Sequence, residues 1–370
     1  MRPRNTFSLV LFVWTIFSTA LWAQKFGRPV PYLTGAPAPN GVALGDLNGD
    51  GRLDVVVANA DVSGTVAVLL GNGDGTLQKA VTYPAGGYPE FVVLADFNGD
   101  GHLDVAVGNR SIGGPGWVSI LLGNGDGTLR PPVSYGPFTD AFSLATGDFN
   151  QDGALDIAVG DTASGSLLLG NGDGTFNLGS AIGASNAVFF AAADFNGDGK
   201  LDLVSADNAG NTIQLLTGNG NATFTLESSY LVATPPIALV AADFNGDGIP
   251  DFAAADEAVN NEGSNVTVFE SSPNGYVKRK YPYGDEPRLI VAADITLNGK
   301  LDLVTENEFN GTVDLFMNSG KGAFRSPIVL HDGGITAASV AVGDLNGDGK
   351  PDIVVTDGQI PGHVHVLLQE

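Results

Sequence analysis

Asp46-Leu47-Asn48-Gly49-Asp50-Gly51-Arg52-Leu53-Asp54 is the stretch from which the rest of the chain can be read. Side-chain oxygens stand at its first, third, fifth and ninth positions, as Asp46, Asn48, Asp50 and Asp54. Arg52, at the seventh, offers its backbone carbonyl, and the glycine at the sixth lets the chain turn back on itself. Three carboxylates this close repel one another unless a cation stands between them. Calcium suits the set best, because it takes about six to eight oxygens in loose geometry, whereas magnesium demands a tight octahedron and zinc prefers His and Cys. The same residues are also good turn formers, so a single copy would decide little.

Repetition decides it. The second copy places Asp96, Asn98, Asp100, His102 and Asp104 in the same roles, and the third Asp148, Asn150, Asp152, Ala154 and Asp156. Asp194, Asn196, Asp198, Lys200 and Asp202 make the fourth, and Asp243, Asn245, Asp247, Ile249 and Asp251 the fifth. The sixth departs: Asp294, Thr296, Asn298, Lys300 and Asp302 carry only two carboxylates. Asp344, Asn346, Asp348, Lys350 and Asp352 complete the seventh. Six full calcium loops are therefore expected, with the Asp294 loop weak or empty for want of one charge.

The copies start 46 to 52 residues apart, the spacing of propeller blades or solenoid units. Each lies between short apolar runs, such as Phe91 to Ala95 before the second and Val105 to Val107 after it. Those runs read as β-strands and disfavour a helical calcium hand. A third run ends in Gly71-Asn72-Gly73-Asp74-Gly75-Thr76-Leu77, which recurs at Gly123 and Gly170 and more weakly at Gly218. With one carboxylate this second motif reads as a hairpin turn. A more polar fourth run closes the unit. Four strands in each of seven repeats predict an all-β, seven-bladed β-propeller, a single domain over residues 24–370. Residues 26–32 match 77–83 and 129–135 in pattern, while the seventh repeat lacks a fourth run. Residues 25–33 are thus expected to supply the outer strand of the last blade.

Composition agrees. The chain has 370 residues, no cysteine and a formal charge of -24, and about half of its 41 acidic residues fall in the loops. No basic stripe is visible, which argues against nucleic acid as a partner. Arg2 and Arg4, the apolar run Phe7 to Phe17 and small residues through Ala23 predict a signal peptide over residues 1–23, hence a secreted or cell-surface protein.

The pattern Asp-Phe-Asn-Gly-Asp-Gly-x-Leu-Asp followed by an apolar strand resembles the FG-GAP repeat of integrin α-subunit propellers. It is still more similar to the FG-GAP-like or VCBS-type repeats of secreted bacterial proteins, where a Gly-Asn-Gly-Asp-Gly-Thr-Phe turn recurs. The resemblance implies calcium on one face of the propeller, with Asp46, Asn48, Asp50, Asp54 and their counterparts as ligands.

Catalytic material is thin, with four histidines and neither a Gly-x-Ser-x-Gly elbow nor a phosphate-cradling loop. His363 and His365 share a strand face, but with no third ligand in view they read as surface polar residues. Chain direction puts the blade connections on the rim opposite the loops. Tyr88, Glu90, Phe91, Trp117, Phe138, Asp140, Glu286 and Arg288 are the candidate ligand-binding residues there, suited to a sugar or a protein loop. The expectation is a non-enzymatic binding or adhesion module for extracellular carbohydrate or protein, acting as a monomer. The alternatives are a polysaccharide lyase or glycosidase on the same scaffold and a purely structural surface component.

Overall fold

The computed structural model describes residues 25–110, 113–257, 264–283, 287–308, 311–331 and 336–370. The expected signal peptide and Glu286 lie outside them. The described residues form seven sheets of four antiparallel strands and no helix. In blade one the strands are Pro39–Gly45, Asp54–Asn59, Thr65–Leu69 and Val81–Pro84, paired in chain order. The next five blades repeat this meander. The seventh is closed by Val30–Leu33, which lies antiparallel to His363–Leu367, with Val30 opposite Val366 and Leu33 opposite His363. A further bridge pairs Phe26 with Gln369, so the expected closure by residues 25–33 is what the chain does.

Strand composition follows from position in the blade. The second strand, Asp54-Val-Val-Val-Ala-Asn59, is buried along its whole length, because neighbouring blades cover both of its faces. The fourth strand, at the outer edge, is largely exposed, and its composition is correspondingly polar. Apolar side chains gather into seven clusters, one at each blade interface; the cluster across the closing seam joins Val55, Val57 and Leu69 to Val354, Val364 and Val366. A ring of thin cores lets the chain exceed the size at which one core stops growing.

Every nine-residue loop joins a first strand to a second, as in the pairing of Gly45 with Asp54. The turns between third and fourth strands share that rim, and the turns between second and third strands lie on the other.

Candidate functional site

On the loop rim, the first Asp of each loop bends the chain around itself. Asp46 Oδ1 accepts the N–H groups of Gly49 and Asp50 at 2.8 and 3.1 Å, and Oδ2 accepts that of Gly51 at 2.7 Å. Asn48 Oδ1 accepts the Asp50 N–H and Asp50 Oδ1 the Arg52 N–H. The full loops repeat this pattern closely, for example at Asp96 and Asp344. Glycines at positions four and six take positive φ, 73° at Gly49 and 80° at Gly51, where a side chain would be strained. Position seven does more than offer a carbonyl: the side chains of Arg52, Lys200 and Lys350 approach the position-five carboxylates at 3.8, 3.4 and 3.4 Å.

The ninth position has a second job that the sequence did not disclose. Asp54 is buried; its Oδ2 accepts the Leu47 N–H and its Oδ1 the N–H of Gly71, the first residue of the second motif. Asp104, Asp156 and Asp352 do the same with Gly123, Gly170 and Gln369. Each carboxylate therefore ties the loop to the end of the third strand. Burial raises the pKa of these acids, Asp156 to about 6; its two backbone hydrogen bonds oppose the shift, and Asp152 and Asp148 add to it. That repulsion within the loop is what a cation would relieve, and the all-oxygen donor set suits a hard one. The loop carboxylates are not gathered as tightly as Asp357, His363 and His365, the one acid and imidazole triad among the described residues whose ligand atoms all lie within 4.8 Å. A calcium ion, with bonds of about 2.3–2.6 Å, would draw them inward.

The second motif behaves as a turn. Asp74 Oδ1 accepts the N–H and hydroxyl of Thr76. The Gly75 N–H reaches into blade seven to donate to the Leu345 carbonyl at 3.2 Å, as Gly127 does to Leu47 and Gly174 to Phe97. In blade seven, which ends before such a turn, the Gln369 amide donates instead to the Ile295 carbonyl at 3.1 Å. The sixth loop is distorted as well as charge-poor: the Thr296 hydroxyl donates to Asp302 Oδ2, and Leu297, like Gln151 in the third loop, takes the positive φ that glycine has in the other five.

At the opposite rim the first strands converge on a funnel of about 360 Å³. Its wall is built by the residues six positions before each loop: Asn40, Glu90, Phe142, Val188, Ile237, Arg288 and Ala338. Repeats that agree elsewhere diverge here. Phe142, Val188, Phe189 and Ile237 make an apolar arc over blades three to five, and Phe91 meets Phe189 edge to face with centroids 5.4 Å apart. The remaining arc carries charge among apolar neighbours such as Leu289 and Ala338: Asn40 donates to Glu90, and Arg288 pairs with Glu308 at 3.3 Å. Burial raises the Glu90 pKa, against the pull of Arg288 and Arg110. Arg110 also stands 3.9 Å from Asp140 and places its guanidinium 5.1 Å from the Phe142 ring centre.

Of the eight rim candidates, Glu90, Phe91 and Arg288 line the funnel, and Asp140 joins its edge through Arg110. Phe138 is 5% exposed and packs in the core between blades two and three, so it is not a surface residue. Trp117 is exposed on a third strand, and neither it nor Tyr88 lines the funnel. Phe142, Phe189, Glu257 and Glu308 also line the funnel and are not among the eight. Their signal lies in the register, since they occupy fixed offsets from each loop.

Against known families, the FG-GAP-like repeat matches residues 46–107, 96–159, 148–205, 194–254, 243–305 and 294–355. No curated protein matches. Among solved structures, a chain from the crystal structure of BBS1N in complex with ARL6DN, soaked with lead, is similar with a TM-score of 0.64 at 15% identity, over 93% of this chain and 97% of that one. The mercury-soaked crystal gives the same figures. At that identity the likeness shows the fold alone.

Proposed function

Since the chain belongs to the FG-GAP-like repeat family, we propose that it is a secreted, calcium-stabilised propeller that works as a binding module and takes an extracellular protein segment in its axial funnel. One observation carries the reading: the funnel is where the blades stop resembling one another, with bulky apolar side chains gathered over blades three to five and Glu90, Arg288 and Glu308 on the other side. A cavity with an apolar wall and a few convergent polar groups is the usual form of a binding site. Glu90, Glu257 and Glu308 outnumber Arg288 among its lining side chains, which favours a segment carrying a basic residue beside apolar ones. BBS1N, of the same architecture, is described in complex with ARL6DN, which supports a protein as the class of partner. The loops, on the other rim, hold calcium and keep the blades in place.

The test is selection from a peptide display library and a glycan array with the calcium-loaded protein, followed by affinity measurement on Phe189→Ala and Arg288→Ala. Selected peptides should lose on the order of 2 kcal/mol, roughly thirtyfold, on Phe189→Ala. Glycans as the sole hits would move the ligand class to carbohydrate. Peptide hits indifferent to both substitutions would remove the funnel from the reading. Product release from a polysaccharide panel would replace binding with catalysis.

A further inference from the structure

We propose that Asp357, His363 and His365, on the hairpin between the second and third strands of blade seven, form a binding site for one divalent transition-metal ion of the zinc class. Nδ1 of His363 lies 3.0 Å and Nε2 of His365 3.4 Å from the same oxygen, Oδ2 of Asp357. An ion bound at roughly 2.0–2.2 Å in tetrahedral geometry holds its ligands roughly 3.3–3.6 Å apart, so both distances to Oδ2 lie near the edge length of a coordination tetrahedron, and all three ligand atoms lie within 4.8 Å of one another. Two imidazole nitrogens and one carboxylate oxygen select a borderline metal over calcium, which prefers oxygen alone.

The carboxylate is held for this task. Its other oxygen accepts the N–H groups of His363 and Gln359 at 3.0 and 3.2 Å, which turns Oδ2 toward the imidazoles. Asp357 and His365 are buried, while the His363 side chain is 28% exposed and leaves the fourth position open to solvent.

Comparison among the blades separates a metal site from a hairpin tie. In each of the other six, the Asn or Asp thirteen residues after the loop's first Asp pairs with one Ser or Thr hydroxyl on the third strand. In blade one that hydroxyl, Thr65, stands directly opposite Asn59; in blade five, Thr267 stands two residues beyond the partner of Asp256. Blade seven places an imidazole at both positions, His363 and His365. One hydroxyl suffices for the tie, so the second nitrogen donor is surplus to it. With its ion, the site staples the two inner strands of the blade that the N-terminal strand closes.

The experiment uses the full chain with its acidic loops saturated by excess calcium. Zn²⁺ is titrated calorimetrically, and Co²⁺ serves as an optical probe. One equivalent of Zn²⁺ should bind and raise the thermal midpoint, and Co²⁺ should give the intense visible bands of four- or five-coordinate nitrogen ligation. His363→Thr recreates the blade-one arrangement and should fold; its Zn²⁺ affinity should fall more than about 100-fold, the upper end of the cost of losing an outer-shell partner. Its zinc-free midpoint should stay where the parent's is. His365→Gln provides a second variant with the same expected loss. Zinc affinity unchanged in both variants, or no zinc bound by the parent under excess calcium, overturns the proposal.

Discussion

Glu306 shows how a single side chain in this ring can set a pH response. It is fully buried, and burial raises its pKa to about 8; Arg288 pulls it down, Glu308 pushes it up, and the backbone N–H groups of Arg288 and Leu289 assist Arg288. Neither carboxylate oxygen completes a hydrogen bond of good geometry. The unfolded chain ionises this group at its ordinary 4.5, so its contribution is fully present below that pH and is lost as pH rises to about 8. The slope over that window is about 1.4 kcal/mol per pH unit. Glu306→Gln should flatten that part of the stability profile and make the protein more stable than its parent at pH 9, as read from denaturant midpoints between pH 5 and 9. A parallel profile would show that the group is already ionised in the fold. None of this was legible in Glu306 itself, which is one of two acids in the second strand of its blade, Asp302–Asn307. The same blindness explains Phe138: it follows a polar run, and only the packing of blade three against blade two reveals that its ring turns inward. By contrast, the bends made by the first, third and fifth loop residues can be read from the motif alone, since their hydrogen bonds stay within its nine residues.

The informative element is the pairing of each loop with the turn that ends its third strand. The sequence shows two glycine-rich motifs in each of the first four repeats but not that they touch, because about seventeen residues separate them. The structure joins them through the ninth-position carboxylate and, in blade one, leaves no room for a side chain at the turn's first residue. A Cβ on Gly71 would lie 2.1 Å from the Leu53 carbonyl oxygen, a backbone atom that cannot swing aside. Gly71→Ala should therefore destabilise by about 1–3 kcal/mol in chemical denaturation; a loss under about 0.5 kcal/mol would mean that the loop moves freely and that the tie is dispensable. The Asp357 hairpin makes the same point about legibility. His363 and His365 were recognisable as a pair from strand periodicity, and the acid that completes them lies only six residues upstream of His363, but a turn of unpredictable shape intervenes.

At the scale of the whole molecule the ring was the most legible feature. Spacing set the number of blades, and the missing last strand foretold which segment closes them, because repeats translate sequence periodicity directly into geometry. The funnel was not legible, since it belongs to no single repeat and exists only where seven of them meet. Loops distributed over all seven blades also make the proposed calcium dependence collective. At a free concentration tenfold above the dissociation constant each filled loop adds about 1.4 kcal/mol, and six add about 8, against a typical total of about 5–15 kcal/mol. Chelation should accordingly lower the thermal midpoint steeply, and calcium should restore it; a midpoint indifferent to both would leave the loops as plain turns. The closing strand carries one more implication. The Glu370 N–H donates to the Lys25 carbonyl at 2.8 Å, and Phe26 pairs with Gln369, which reaches toward the loop rim through Asp352. A tether attached at Lys25 or Glu370 thus leaves the propeller beside its acidic face, so a display scaffold or sensor chip holding the protein there would present the funnel outward, toward arriving molecules.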